Sequence, residues 1–173
     1  MAGGRSSRFG SDKAEALLEG VPLIEHAAQA LRGHVDALVL VGRERSGWLC
    51  LKDRPRSDLG PLGGIAAALH HAATHGHDRV LTIGCDMPRV PADLLGALIE
   101  ASPAYCREAP ILGCWPATLA PALDAHVEHD AKRSIRGWAA LVDAAAICSP
   151  APIANVNTPS DLKALAHAPI RSP

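Results

Sequence analysis

Hydrophobic and polar positions along this chain fall into blocks with the spacing of helices. Apolar residues recur at i, i+3, i+4 and i+7 in two segments, which predicts helices over 22–32 and 62–75. A third helix is predicted after Pro91, where the first helical turn tolerates proline. The last helix is predicted from its start, because Thr158 is a good N-cap residue and Pro159 follows it at the first helical position.

Continuous apolar runs between these helices indicate buried strands. Residues 36–41 and 79–84 each form such a run and suit the interior of a parallel sheet. The pattern is weaker after residue 103. There it predicts short strands near 110–114 and 145–149 and helical segments near 117–127 and 132–143.

This alternation of strands and helices predicts an α/β fold, a three-layer α/β/α sandwich. At 173 residues, the chain is expected to form a single domain, 1–173. A glycine-rich phosphate loop in such a fold normally follows the first, central strand, whereas this sequence starts at the loop. We therefore expect the first central strand to be missing or truncated.

Composition narrows the classes of partner. The formal net charge is −1, so neither nucleic acid nor an anionic membrane surface is expected as a partner. No apolar run approaches the roughly 20 residues of a membrane span. The five cysteines are scattered and odd in number, which is typical of a reducing compartment and predicts a cytoplasmic protein.

The first thirteen residues contain a candidate phosphate-binding loop of the pattern G-G-x3-R-x-G-x2-K. Gly3 and Gly4 allow close approach of the backbone to a ligand, and Arg8 and Lys13 add positive charge. The pattern is neither a P-loop nor a dinucleotide-binding fingerprint. A solvated glycine-rich terminus remains the alternative.

Three further motifs carry candidate chemistry. Gly60-Pro61-Leu62-Gly63-Gly64-Ile65 opens a helix, whose N–H groups and dipole favour an anion, although a tight turn is an equal alternative. Asp86 follows a buried strand directly and is a candidate Mg²⁺ ligand, the alternative being a turn-capping role. Asn155 and Asn157 lie at i and i+2, so they share a face and offer amide groups to a metal or a phosphate, with simple capping as the alternative.

Taken in order, these motifs closely resemble the molybdenum cofactor guanylyltransferases, a branch of the glycosyltransferase-A-like nucleotidyltransferases with a Rossmann-like fold. The resemblance covers essentially the whole chain. The asparagine-rich motif narrows it, because related cytidylyltransferases typically carry aspartate at the position of Asn157. Two positions depart from the family pattern: Val41 or Gly42 stands where an asparagine is common, and Ala109 stands where a polar residue is usual.

The resemblance implies an enzyme that transfers GMP from GTP to the terminal phosphate of Mo-molybdopterin, with Mg²⁺ as cofactor and pyrophosphate as by-product. It implies catalytic roles for Arg8, Lys13 and Asp86, and a metal site at Asp86 and Asn157. The implied nucleotide-binding residues are Met1, Ala2, Gly3, Gly4, Lys13, Asp53, Gly60, Pro61, Asp86, Asn155 and Asn157. Transient contact with other cofactor-biosynthesis proteins or with molybdoenzymes is also expected.

Two other functions stay open at this point. One is a cytidylyltransferase that acts on molybdopterin or on a sugar or polyol phosphate. The other is a non-catalytic nucleotide-binding module, which a missing central strand would favour. Phosphoryl-type transfer requires mainly positioning and charge neutralisation, and glycine backbones, cations and a metal-binding carboxylate supply both.

Overall fold

The computed structural model describes residues 12–57, 59–129 and 133–167. Within these residues the α-helices are α1 (Leu23–Leu31), α2 (Pro61–Thr74), α3 (Ala92–Glu100), α4 (Ala120–His129), α5 (Ile135–Leu141) and α6 (Pro159–His167). The strands are β1 (Leu17–Leu18), β2 (Val21–Pro22), β3 (Leu40–Val41), β4 (Cys50–Leu51), β5 (Arg79–Thr82), β6 (Ala104–Cys106), β7 (Gly113–Pro116) and β8 (Ala145–Ile147). None of the described helices combines the length and the apolar character that crossing a bilayer requires.

The largest sheet is mixed, with the strand order β5-β7-β6-β8. Strand β7 runs antiparallel to both β5 and β6, with Thr82 opposite Gly113, and β6 runs parallel to β8. Strands β3 and β4 form a separate parallel pair, and β1 and β2 form a small antiparallel hairpin.

Helices cover both faces of the four-stranded sheet. Neighbouring strand residues point to opposite faces. Leu81 and Cys114 accordingly pack with α1 and α3, while Val80 and Trp115 pack with α2, α4 and α5. The predicted three-layer α/β/α architecture is therefore confirmed, and each layer of helices has its own apolar core against the sheet.

Helix α2 also connects the β3-β4 pair with the four-stranded sheet. Its small residues Ala67 and Ala68 pack against Val41 of β3, and Val80 of β5 contacts the same cluster. One helix thus fixes the loops that follow β3 in position relative to those that follow β5.

The strongest helix predictions are confirmed. The segments 22–32 and 62–75 form α1 and α2, and the helix predicted after Pro91 forms α3. Helix α6 begins at Pro159 as predicted, and Thr158 Oγ1 accepts a hydrogen bond of 3.2 Å from the Asp161 N–H. The predicted segment 132–143 forms a shorter helix, α5, because Ser134 caps it by accepting a bond of 3.0 Å from the Gly137 N–H.

Two strand predictions are wrong in extent. Of residues 36–41 only Leu40–Val41 pair as a strand, because the partner β4 is only two residues long and Asp36 and Ala37 are exposed. The strand expected near 110–114 lies at Gly113–Pro116 instead. Pro110 has no N–H to give to a ladder, and it lies in a turn closed by a 2.9 Å bond from the Leu112 N–H to the Ala109 carbonyl.

Candidate functional site

Three segments that are distant in the sequence meet at the side chain of Lys13. Its Nζ donates to Oδ2 of Asp86 at 2.9 Å and to Oδ1 of Asn157 at 3.0 Å. The Lys13 and Asp86 side chains are 15% and 25% exposed, so the ion pair is largely but not fully shielded from water. The sequence predicted each of these residues as a site residue, and the structure brings all three together.

Lys13 starts a short 3₁₀ turn, Lys13–Glu15, which is held from both sides. Asp12 caps the turn by accepting a 3.2 Å bond from the Ala14 N–H, and Ala14 itself is buried. Arg43, in the loop after β3, binds both carboxylate oxygens of Asp12, one of them at 2.7 Å. Hydrogen bonding to the Arg43 guanidinium lowers the pKa of Asp12, so this carboxyl group is charged at neutral pH.

The far end of the same turn is tied by a second arginine. Arg45 Nε lies 3.1 Å from a carboxylate oxygen of Glu15, and Arg45 also bonds Glu25 in α1. The guanidinium lies over the Trp48 ring at 5.3 Å from the ring centroid. Because both ends of the turn are fixed, the backbone of Lys13 has little freedom to move.

Asp86 is positioned by the chain that leaves β5. Its carbonyl accepts a 2.9 Å bond from the Val156 N–H, which joins this loop to the asparagine-rich segment. A Cβ on Gly84 would lie 2.4 Å from Asp86 Oδ1, so a larger residue there would force the carboxylate out of its observed position. Burial, and secondarily the charge of Asp86, raises the pKa of the adjacent Cys85 thiol, which is therefore neutral and packs as a small apolar group.

Asn157 is positioned by the cap of α6. Its N–H donates to Asp161 Oδ2 at 2.8 Å, and the Thr158 N–H donates to the same oxygen at 2.8 Å. These backbone bonds lower the pKa of Asp161, which keeps the cap ionised. Asn155 and Asn157 are both exposed on either side of the buried Val156, as the alternation of an extended segment predicts.

A second group of predicted residues lies at the start of α2. Gly60 is the N-cap and adopts a φ of +63°, a left-handed conformation that favours glycine, and Pro61 is the first helical residue. Asp53 lies beside this turn, because its Cβ would be 3.2 Å from a Cβ placed on Gly63. The Arg54 N–H donates to the Gly63 carbonyl at 3.0 Å and fixes the two segments together.

Several predicted residues lie outside the part of the chain that the structure describes. They are Met1, Ala2, Gly3, Gly4 and Arg8. The prediction that the first central strand is missing or truncated concerns this same start of the sequence, so it stays a prediction.

Sequence reasoning missed the residues that hold the site together. Arg43 and Arg45 follow a predicted strand, which is the only signal the sequence offers for them, and their partners Asp12 and Glu15 lie about thirty residues away. The cap at Thr158 was predicted, but the bond from the Asn157 N–H to Asp161 was not. These positioning contacts join segments that are remote in the sequence, so only the tertiary structure shows them.

The geometry makes this group a cation site with oxygen ligands. One carboxylate and one amide oxygen converge on a single positive charge, the ammonium of Lys13. Such hard oxygen donors also suit Mg²⁺, which often takes one or two carboxylates and completes its coordination with water and substrate phosphates. The donor set therefore fits a divalent ion, and in this structure both oxygens accept hydrogen bonds from the Lys13 ammonium.

Comparison with known families gives a match over most of the chain. A family model described as "MobA-like NTP transferase domain" matches residues 1–145.

Among curated proteins, two molybdenum cofactor guanylyltransferases are similar over nearly the full length. The protein from Rhodobacter capsulatus is 36% identical, with 94% of this chain and 90% of the relative covered. The protein from Rhizobium leguminosarum bv. trifolii is 35% identical, with 94% and 87% covered.

A similar fold is found among solved structures. The molybdopterin-guanine dinucleotide biosynthesis protein A of Archaeoglobus fulgidus superposes with a TM-score of 0.68 at 22% identity, over 94% of this chain and 93% of the other. A 4-diphosphocytidyl-2C-methyl-D-erythritol synthase superposes with a TM-score of 0.60 at 14% identity, over 89% and 93%. Together with the family match, these likenesses establish a nucleotidyltransferase fold of the Rossmann-like α/β class.

Proposed function

Because this chain belongs to the MobA-like NTP transferase family, we propose that it transfers GMP from GTP to the terminal phosphate of Mo-molybdopterin and releases pyrophosphate. The printed name of its relatives, molybdenum cofactor guanylyltransferase, supports this choice of donor and acceptor. The observation that carries the proposal is the convergence of Lys13, Asp86 and Asn157 on one point.

Membership of this family indicates a divalent metal ion as cofactor, and we assign Mg²⁺. Asp86 Oδ2 and Asn157 Oδ1 would hold it, since these oxygens already bind a cation together. Within the described ranges no three His, Cys, Asp or Glu side chains form a metal-binding group, so the phosphates of GTP are expected to complete the coordination. When bound, the ion would neutralise charge on the phosphates.

The remaining residues bind and orient the substrates. Lys13 binds the triphosphate as a compact positive charge, and from the sequence motif Met1, Ala2, Gly3, Gly4 and Arg8 are proposed to bind the nucleotide as well. Asp53, Gly60 and Pro61 bind the nucleotide at the start of α2, where the helix dipole favours an anion. Asn155 lies on the same exposed side as Asn157 and adds a further contact.

The acceptor supplies its own nucleophile. A terminal phosphate is an anion at neutral pH, so the protein needs no general base and acts by positioning and charge neutralisation. We also assign Arg136 of α5 to acceptor binding as a positive charge; in this structure its guanidinium donates to the Arg107 carbonyl at 2.8 Å and ties α5 to the loop after β6.

We place this reaction in the cytoplasm, in a single domain spanning 1–173. All five cysteines are free thiols, which suits a reducing compartment. The expected partners are the two substrates and, transiently, the proteins that deliver Mo-molybdopterin or receive the product.

The deciding experiment measures pyrophosphate release and product formation with GTP, Mg²⁺ and Mo-molybdopterin. We expect turnover with GTP and little with CTP. Turnover with CTP in place of GTP would identify a cytidylyltransferase, and nucleotide binding without turnover would identify a non-catalytic module.

The same assay tests the site through matched aspartate variants. Asp86→Asn is expected to lower turnover by at least about a hundredfold, because loss of the ligand removes charge neutralisation. Asp93→Asn changes an exposed aspartate in the first turn of α3 and is expected to leave turnover unchanged. Equal activities of the two folded variants would remove Asp86 from the mechanism.

A further inference from the structure

The Lys13 ammonium occupies the position that the proposed metal ligands define. Its Nζ lies 2.9 Å from Asp86 Oδ2 and 3.0 Å from Asn157 Oδ1, which are the two oxygens assigned to the metal. An ammonium and a divalent ion cannot both lie within bonding distance of the same oxygens without strong mutual repulsion. In this geometry one must leave before the other binds.

The lysine side chain can make that exchange while the backbone around it stays fixed. The backbone of Lys13 is fixed by the cap at Asp12 and the Arg43 pair. The loop of Asp86 is bonded to Val156. The long, flexible stem of lysine lets its ammonium swing several ångströms while its backbone stays in place.

We propose that Lys13 is a tethered competitor of the metal ion. In the nucleotide-free protein its ammonium binds Asp86 and Asn157, and the metal ion displaces it. The freed ammonium then binds the triphosphate, so the nucleotide favours metal binding and the metal favours nucleotide binding. This coupling makes metal alone a weak ligand and the metal–nucleotide complex a tight one. The proposal rests on the proposed function, from which it takes the two metal ligands.

The first test measures Mn²⁺ binding to the nucleotide-free protein by electron paramagnetic resonance. Lys13→Met removes the ammonium and keeps an unbranched side chain. We expect the Kd for Mn²⁺ to fall by about tenfold, the factor that corresponds to one charge-assisted hydrogen bond. Lys163→Met removes an exposed lysine of α6 instead, and its Kd is expected to match that of the wild type.

The second test follows Lys13 itself in the wild-type protein, so it does not depend on a variant that folds. Acetylation of each lysine by an amine-reactive reagent is measured by mass spectrometry as Mg²⁺ is added. The ammonium bonded to two oxygens is shielded, and its displacement by Mg²⁺ is expected to raise the labelling rate of Lys13 severalfold. Lys163 serves as the internal reference.

Asp86→Asn separates this proposal from the one on which it rests. If Asp86→Asn leaves Mn²⁺ binding unchanged, the metal assignment is wrong, and the proposed competition between Lys13 and the metal ion is wrong as well. If Asp86→Asn abolishes binding while Lys13→Met does not tighten it, the metal site stands and the competition is refuted. Labelling of Lys13 that does not respond to saturating Mg²⁺ would also refute it.

Discussion

At the scale of single residues, Gly63 shows how a small side chain places a functional one. A Cβ on Gly63 would lie 2.9 Å from Leu59 Cβ and 3.2 Å from Asp53 Cβ, closer than packed carbons approach. The first turn of α2 therefore rests directly on the segment that carries Asp53. Glycine at this position sets the distance between the helix start and a proposed nucleotide-binding carboxylate.

Gly63→Ala is expected to lower the free energy of unfolding by about 1–3 kcal/mol, because overpacking forces the Asp53 segment away. The matched control is Gly96→Ala in α3, where a new Cβ would meet nothing within 4 Å. That change is expected to stabilise the protein by about 0.4–1 kcal/mol through the unfolded state. Urea denaturation measures both.

The same substitution also has a functional consequence. A displaced Asp53 is expected to raise the KM for GTP in the Gly63→Ala variant and to leave the KM of Gly96→Ala unchanged. If both variants unfold at the same urea concentration, Gly63 is not in the close contact described.

At the scale of elements, two arginines in the loop after β3 hold the turn that carries Lys13. Arg43 binds Asp12 at one end of the turn and Arg45 binds Glu15 at the other, and we call these two ion pairs the clasp. The Asp12 side chain is 49% exposed, so this pair adds little to overall stability. Its main effect is to fix where the Lys13 side chain begins.

Arg43→Ala is expected to lower turnover by about three- to tenfold through misplacement of Lys13, while the free energy of unfolding falls by less than about 1 kcal/mol. Arg89→Ala is the control, since Arg89 forms a similar exposed pair with Glu19 at 3.1 Å. Steady-state kinetics and urea denaturation separate the two effects. Equal turnover in both variants would show that the clasp does not act on the site.

The clasp also has a pH dependence with a defined direction. The hydrogen bond from Arg43 lowers the pKa of Asp12. The stabilisation of the folded state by this pair is therefore fully present above the ordinary aspartate pKa and is lost as the pH falls through the lowered value. The difference in stability between the wild type and Asp12→Asn is therefore expected at neutral pH, should begin to decrease below about pH 4, and should vanish once the pH is below the lowered pKa. A difference that persists at lower pH would assign it to another group.

At the scale of the whole molecule, two apolar cores share one sheet. Leu95 of α3 lies in the core on one face, and Leu69 of α2 lies in the core on the other, and both are fully buried. Because the β5-β7-β6-β8 sheet is common to both cores, neither layer of helices is expected to stay folded when the other is lost.

Leu95→Ala and Leu69→Ala are each expected to lower the free energy of unfolding by about 2–5 kcal/mol. The double variant should show the sum, since the two sites lie in different clusters. Leu141→Ala, at a side chain that is 62% exposed, is expected to change stability by less than about 0.5 kcal/mol. Calorimetry should show one transition in every variant, and two separate transitions would contradict the shared core.

An element of the fold could be predicted from the sequence where the residues that specify it lie within one segment. Helices α1, α2 and α6 were predicted because the spacing of an apolar face and the residues of a cap lie within one segment. Strands β4 and β6 were not predicted, since strands of two or three residues carry almost no pattern of their own. A strand that short exists only because a partner strand lies beside it.

The candidate site, too, was predictable only in part. The sequence by itself determined the residue types, because Lys13, Asp86 and Asn157 each lie in a motif whose local chemistry indicates phosphate or metal binding. Only the tertiary structure decided that they meet, across separations of 73 and 144 residues, and that the Lys13 ammonium binds both oxygens. The physical reason is that local sequence fixes conformation over a few residues, whereas the distance between remote segments is set by the packing of the elements that carry them.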